Sequence, residues 1–156
     1  MYLLFLTLVV AGISGQQPCP DNWVDATSVD LGCLFFLEEP MNWDQAEARC
    51  KEMDNAHLIE IKSEIGLEFL RAELHERDYT WWWTGGTTKT NTFWTWRCSF
   101  SGIDQFVWWP GEPNNDYEQN CLYLHNYEVT GGEFYGFDEN CEAEAFYPIC
   151  QQRICN

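Results

Sequence analysis

The sequence predicts an α+β domain that is stapled by disulfides. Helical patterns come early in the chain, strand-like runs and long loops come late, and eight cysteines lie beyond an apolar start. A chain of 156 residues is sufficient for one domain, and no repeat or low-complexity linker divides it. Because no Cys-x-x-Cys pair supports a zinc site, the cysteines indicate disulfides formed in an oxidising compartment.

Residues 1–15, MYLLFLTLVVAGISG, are predicted to be a secretory signal peptide. The segment is apolar and uncharged, it is too short for a transmembrane helix, and it ends in small residues. The predicted domain therefore covers residues 16–156, and the protein is expected to be secreted, soluble and extracellular.

The first half of the domain is predicted to hold a hairpin and a helix. CPDNWVDATSVDLGCLFFL, residues 19–37, is typical of a hairpin. Asn42 is a predicted N-cap for the helix that follows, in which apolar residues recur at helical spacing: Trp43, Ala46 and Cys50.

A short strand, a second helix and two closing strands complete the prediction. HLIEI, residues 57–61, alternates apolar and polar residues as a half-buried strand does. Ser63 is the predicted N-cap of an amphipathic helix with apolar residues at Ile65, Leu67, Phe69, Leu70 and Leu74. After an aromatic, loop-rich stretch, CLYL and FYPICQQ predict two strands.

The formal charge of −17 excludes nucleic acid as an expected partner, because no basic patch is available to neutralise phosphates. Solubility is the ordinary explanation of this charge, and attraction for calcium or for a cationic surface is the more specific one. The sequence predicts no enzyme, since it contains no HExxH or GxSxG motif and its histidines lie apart, at His57, His75 and His125.

The loop GEPNNDYEQNC, Gly111 to Cys121, gathers carboxylate and amide oxygens. Calcium takes about six to eight such hard ligands at loosely defined angles. Glu112 and Asn114 flank Pro113, and a cis bond before proline would direct both side chains towards one point. The loop is therefore predicted to be a calcium site.

Taken in order, CPDNW, WDQAEARC, HLIEIKSEIGLEFL, WTGG and the last cysteines resemble the C-type lectin-like domain over essentially all of the chain after the predicted signal peptide. The resemblance implies two helices packed on small antiparallel sheets with a long loop region. It also implies three disulfides: Cys50–Cys150, Cys121–Cys141 and Cys19–Cys33. Cys98 and Cys155 are left open, because they are expected at opposite ends of the domain. Three alternatives remain: the two cysteines pair with each other, they form intermolecular bridges in a disulfide-linked homo-oligomer, or one of them pairs with a cysteine that the resemblance assigns to another bridge.

The resemblance further implies that bound Ca²⁺ and a sugar share one set of ligands: Glu112, Asn114, Gln119 and Asp138. A Glu-Pro-Asn loop implies mannose-type glycans. This chain departs from the family in two ways, since Gln119 stands in place of a glutamate and Phe137 in place of an asparagine ligand. Glu118 is an alternative to Gln119, and the calcium site is expected to be weakened.

Two functions follow from these observations. The first is a secreted, calcium-dependent lectin that binds mannose-type glycans on microbial or cell surfaces, in innate immunity, with Trp109 as a possible exposed aromatic contact for the sugar ring. The alternative is a module of the same fold that binds no sugar and acts as a protein-, mineral- or ice-binding scaffold.

Overall fold

The computed structural model describes residues 18–53 and 55–155. The predicted signal peptide, residues 1–15, lies outside these residues. Among the described residues no helix is both long and apolar enough to span a membrane. The regular elements follow in chain order: β1 (Val24–Ala26), β2 (Gly32–Phe36), α1 (Trp43–Lys51), β3 (His57–Leu58), α2 (Glu64–His75), β4 (Trp81–Thr87), β5 (Thr95–Trp96), β6 (Gln119–His125), β7 (Tyr135–Asn140) and β8 (Tyr147–Gln152).

The described strands form one sheet in the order β1-β2-β8-β4-β6-β7, with β3 added beside β8 and β5 beside β4. All neighbours are antiparallel except β4 and β8, which run parallel. The predicted α+β fold with two helices is confirmed, although the strands join into one mixed sheet rather than separate antiparallel sheets. The loop-rich middle of the sequence also contains β4, and β7 was not predicted.

Both helices begin at the predicted caps. The Asn42 side chain accepts a hydrogen bond from the Gln45 N–H, and the Gln45 side chain accepts one from the Asn42 N–H, which forms a capping box. Ser63 caps α2 by accepting from the Gly66 N–H at 3.1 Å. The prediction that Ile65 belongs to the buried face of α2 is wrong, since it is 63% exposed. The buried residues recur three and four apart on the opposite face of the helix: Leu67, Leu70, Arg71 and Leu74.

Residues 57–61 do not expose a polar face, although their alternating sequence predicts one. All five are buried, and only His57 and Leu58 pair as a strand. Glu60 is 3% exposed, and one of its carboxylate oxygens accepts hydrogen bonds from the backbone N–H groups of Cys98 and Ser99, both at 2.8 Å. The turn after β5 therefore covers the side of residues 57–61 that the alternating sequence predicts to be exposed to solvent.

The sheet is buried on both faces, and most of the tryptophans pack in the two cores that cover it. Trp82 and Trp83 are neighbours in β4, so their side chains lie on opposite faces, and neither is exposed to solvent. Trp82 belongs to the core cluster beside α2, and Trp83 to the cluster beside α1. Three further tryptophans are also buried: Trp43, Trp96 and Trp108.

The described cysteines are all paired within the chain. The bridges are Cys19–Cys33, Cys50–Cys150 and Cys121–Cys141, which are the pairs that the resemblance implies, together with Cys98–Cys155. The expectation that Cys98 and Cys155 lie at opposite ends of the domain is wrong, since their Cα atoms are 5.4 Å apart. The contacts of Cys98 and Ser99 with Glu60 bring Cys98 beside the end of β8. In this structure the two cysteines therefore do not form the intermolecular bridge considered above.

Candidate functional site

The loop between the 3₁₀-helix at Gln105–Val107 and β6 carries the predicted site. The Trp109 N–H donates to the Gly136 carbonyl of β7 at 3.0 Å, and the Glu112 N–H donates back to the Trp109 carbonyl at 2.9 Å. The Glu112–Pro113 peptide bond is cis. These contacts hold the start of the loop against the edge strand β7.

Three of the predicted ligands meet in this loop. The Asn114 side-chain Nδ2 donates to both carboxylate oxygens of Glu112, at 3.2 and 3.1 Å. The Asn114 backbone N–H donates to Glu112 Oε2 and to Asp138 Oδ1, each at 3.1 Å. Asp138, which lies 24 positions after Asn114 in the sequence, thus joins Asn114 and Glu112 in one hydrogen-bonded group.

Asp138 fixes the loop to the sheet. It lies in β7, opposite Leu122 of β6, and is only 3% exposed. Besides the Asn114 N–H, its carboxylate accepts the Asn115 N–H at 2.7 Å. Hydrogen bonds to an ionised carboxylate are stronger than those between neutral groups. Asp138 therefore organises the backbone of the loop as well as being a potential ligand.

Partial burial and the nearby Asp138 carboxyl together raise the pKa of Glu112. Burial of its side chain is the largest cause, and the Asp138 carboxyl adds to it, while the Asn114 side chain acts in the opposite direction. Two anionic groups that share a partly desolvated place repel each other. A cation between or beside them would relieve this repulsion, so the electrostatics favour a metal ion.

Gln119, the fourth predicted ligand, begins β6 and is not hydrogen-bonded to the other three. Its side-chain Oε1 is buried and accepts no hydrogen bond from the described residues. A buried acceptor without a donor costs about 1–3 kcal/mol, which a bound cation or water would offset. Glu118, the alternative ligand, is exposed and its backbone has a positive φ of 59°.

Phe137 lies on the face of β7 opposite to Asp138 and provides no oxygen. It is 8% exposed and packs against Tyr127 and Tyr123, with ring centroids 4.9 and 5.9 Å away. The carboxylate and amide oxygens of Glu112, Asn114 and Asp138 are the hard donors that calcium prefers. The donor set fits this ion, with fewer protein ligands than the full shell of about six to eight.

Two tryptophans support the loop in a way that sequence reasoning missed. The Trp94 Nε1–H donates to Asn115 Oδ1 at 2.9 Å, and its ring meets Trp108 edge-on at 4.9 Å. The surplus of tryptophans was the available signal, but nothing in the spacing connects Trp94 with Asn115.

Trp109, predicted as an exposed contact, is partly buried and packs against Tyr135 at 5.1 Å.

Comparison with known proteins gives matches over most of the chain. A family model described as "Lectin C-type domain" matches residues 39–152. The C-type lectin lectoxin-Lio3 of Erythrolamprus poecilogyrus is 29% identical over 153 residues, which cover 96% of this chain and 90% of that protein. Three further curated relatives, among them CD209 antigen-like protein C of Mus musculus, are longer proteins, and the chain spans 29–57% of their length.

Solved structures share the fold at lower identity. The C-type lectin domain of murine dendritic cell inhibitory receptor 2, solved in complex with N-glycan, superposes with a TM-score of 0.72 at 23% identity, covering 87% of this chain and 99% of that domain. A calcium-independent type II antifreeze protein gives a TM-score of 0.70, also at 23% identity, with 89% and 97% covered. At this level of identity the similarity establishes the fold alone.

Proposed function

We propose that this chain, which belongs to the C-type lectin domain family, is a secreted, calcium-dependent lectin for mannose-type glycans. C-type lectin domains are binding modules, and we propose no catalytic activity for this one. The disulfides support an extracellular location. Recognition of microbial surface glycans in innate immunity is the role we propose.

The observation that carries this proposal is the contact between Glu112, Asn114 and Asp138. Glu112 presents a hydrogen-bond acceptor, and the Asn114 Nδ2 beside it presents a donor, within 3.2 Å of each other. Two neighbouring sugar hydroxyls need this pairing, since one hydroxyl donates to the carboxylate while the next accepts from the amide. Asp138 fixes the backbone of Asn114 and Asn115, so the acceptor and donor are positioned before the sugar arrives.

Glu112, Asn114 and Asp138 would hold the calcium ion, with Gln119 as a further oxygen donor. The ion would neutralise the two carboxylates and bind sugar hydroxyl oxygens directly. The loss of an asparagine at Phe137 predicts weak calcium binding, near the millimolar end of extracellular modules. The N-glycan bound to the inhibitory receptor 2 domain supports glycans as the ligand class.

Retention on mannan-agarose in calcium, followed by elution with EDTA, tests the proposal. The Glu112→Gln, Asn114→Asp double variant exchanges the acceptor and donor while keeping oxygen ligands, so it is expected to move from mannan to galactose-agarose. Glu144→Gln is the matched control, because it removes an exposed carboxylate outside this loop. Wild-type retention that persists in EDTA would contradict a calcium-dependent site.

The alternative, a scaffold that binds protein, mineral or ice rather than sugar, is favoured by the replacement of a ligand with Phe137 and by the charge of −17. A calcium-independent antifreeze protein of similar fold supports this alternative. Failure of the wild type to bind any immobilised sugar, together with an unchanged melting temperature in calcium, would select this alternative.

A further inference from the structure

Beside the end of β8, the fold gathers a histidine and two cysteines that the proposed function does not use. The His57 ring and the sulfurs of Cys98 and Cys155 offer three ligand atoms that all lie within 4.8 Å of one another. His57 belongs to β3, which pairs with β8, while Cys98 lies in the turn after β5 and Cys155 in the segment after β8. We call these three residues the His-Cys-Cys cluster. It shares no residue with the loop of the proposed calcium site.

His57 is buried and has one ring nitrogen without a hydrogen-bond donor. The residue is only 6% exposed, its Nδ1 lies 2.8 Å from the Leu58 carbonyl oxygen, and its Nε2 lies 3.3 Å from the Arg153 carbonyl oxygen. In its neutral form an imidazole carries a single N–H, so only one of these contacts can be a hydrogen bond. We assign the proton to Nδ1 because that contact is shorter, which leaves the Nε2 lone pair facing an acceptor.

This arrangement is typical of a histidine that binds a metal ion. Such a histidine ordinarily uses one ring nitrogen as the ligand and donates its other N–H to a backbone carbonyl or a carboxylate, which fixes the orientation of the ring. In His57 the Leu58 carbonyl is that acceptor. The Nε2 lone pair is therefore the nitrogen ligand that the cluster offers.

The spacing of the His-Cys-Cys cluster suits a tetrahedral zinc ion. Zn–S bonds of about 2.3 Å and Zn–N bonds of about 2.0 Å hold the ligand atoms of such an ion about 3.5–3.8 Å apart. The three ligand atoms of the cluster lie within 4.8 Å, and the Cα atoms of the two cysteines are 5.4 Å apart. In the disulfide the sulfurs are bonded to each other and provide no thiolate, which is the form that binds metal. The bridge must therefore open before the ion binds.

The Cys98–Cys155 bridge is accessible at both of its cysteines. Cys98 is partly exposed and Cys155 is exposed, whereas each of the other described bridges has at least one buried cysteine. Thiol–disulfide exchange requires a thiolate to reach a sulfur, so its rate depends on this access. Cys155 also lies outside β8, in a segment without regular secondary structure, so the sulfurs can separate without breaking a strand. A dithiol is therefore expected to open this bridge first.

The reduction balances with a dithiol as the co-reactant. One thiolate of the dithiol attacks a sulfur of the bridge and forms a mixed disulfide, and its second thiol then displaces the protein sulfur and closes a cyclic disulfide. The dithiol is oxidised by two electrons, and Cys98 and Cys155 each become a thiol. Zinc then binds both sulfurs as thiolates, and the two thiol protons are released to solvent.

We propose that His57, Cys98 and Cys155 form a zinc site when a dithiol has opened the Cys98–Cys155 bridge. Three protein ligands leave the fourth position of the ion to water. Thiolate and imidazole ligands favour zinc, whereas calcium takes oxygen ligands, so the cluster and the proposed calcium loop select different ions. The bound zinc would replace the disulfide as the link between the turn after β5 and the segment after β8. This inference does not depend on the proposed lectin function.

The test begins with limited reduction of the folded wild type by dithiothreitol, which is then removed without oxygen. Alkylation and peptide mapping are expected to give two thiols per chain, at Cys98 and Cys155. Titration with zinc against a chromophoric chelator is expected to give one ion per chain with a Kd of about 1 µM or below. Excess calcium should not compete, and bound zinc should slow the alkylation of both cysteines. The unreduced wild type is expected to show no such zinc binding.

Variants test each kind of ligand. Cys155→Ser and reduced His57→Gln are each expected to bind zinc about 100-fold or more weakly than the reduced wild type, since loss of a contact to a ligand already costs about 10- to 100-fold. His75→Gln is the matched control, because His75 is an exposed histidine at the end of α2, and it should keep the wild-type Kd. His57 is buried, so its variant could fail to fold, whereas Cys155 is exposed near the end of the chain and its variant tests the site independently.

The spectrum of Co²⁺ in place of zinc identifies the ligands directly. A thiolate-to-cobalt charge-transfer band and the bands of tetrahedral Co²⁺ are expected in the reduced wild type and not in Cys155→Ser. Equal zinc affinity in the reduced wild type and Cys155→Ser would overturn the proposal. Reduction that opens another bridge first, or no bridge at all, would overturn it as well, while binding to mannan in calcium by the unreduced protein would be unaffected by either result.

Discussion

Replacing Asp138 with alanine is expected to destabilise the protein even without calcium. The variant loses the hydrogen bonds from the N–H groups of Asn114, at 3.1 Å, and Asn115, at 2.7 Å. A hydrogen bond to a charged group contributes about 1.5–3 kcal/mol. Three effects reduce this loss. The Asn114 N–H keeps Glu112 as an acceptor, and water can replace the lost bonds because both loop residues are exposed. The repulsion between the carboxylates of Asp138 and Glu112 is also removed. We therefore expect a net loss of about 2–3 kcal/mol, at or just below the lower end of the sum of about 3–6 kcal/mol for the two bonds.

Thermal unfolding in EDTA, followed by circular dichroism, measures this loss. For a chain of this size each kcal/mol lowers the melting temperature by about 3–5 °C, so Asp138→Ala is expected to unfold about 6–15 °C below the wild type. Glu112→Gln is the matched control, because glutamine keeps an oxygen for Asn114 and removes the charge that repels Asp138. Its melting temperature in EDTA is expected to equal or exceed that of the wild type.

Equal melting temperatures for the wild type and Asp138→Ala in EDTA would refute this reasoning. Such a result would mean that the Asp138 carboxylate does not hold the loop in solution, and that its role is limited to a bound ligand. A loss in Glu112→Gln as large as that in Asp138→Ala would be equally damaging, since it would show that the two carboxylates do not repel each other.

Three further predictions concern the ion, the pH and the fourth disulfide. Calcium at about ten times the wild-type Kd is expected to raise the melting temperature of the wild type by roughly 4–7 °C, and by less in Glu112→Gln at the same concentration, because glutamine keeps an oxygen ligand but loses the charge. Because the pKa of Glu112 is raised, Glu112 takes up a proton at a higher pH than an ordinary glutamate, and calcium affinity should begin to fall at that higher pH. In the absence of calcium, the same proton uptake by the folded state should make the wild type more stable relative to Glu112→Gln as the pH falls. Non-reducing electrophoresis with peptide mapping should give a Cys98–Cys155 peptide and no covalent dimer; an intermolecular Cys98 peptide would contradict the fold described here.

The sequence determined the features that depend on neighbouring residues. Asn42 and Ser63 cap their helices because an N-cap acts on backbone N–H groups only two or three residues away. The Glu-Pro-Asn stretch likewise indicated two of the proposed site residues, since Glu112 and Asn114 are separated by a single proline. The resemblance then supplied Asp138 by its position before a cysteine.

Only the tertiary structure decided the features that depend on distant segments. β7 has glycine, aspartate and asparagine in its sequence, so its own propensity for strand is low, and pairing with β6 makes it a strand. The partner of Cys98 depended on the turn that packs against the buried Glu60. Strand pairing also brings Trp81 beside His125, 44 residues further along the chain. Such contacts follow from the register of strands and the packing of buried groups, which local sequence patterns do not specify.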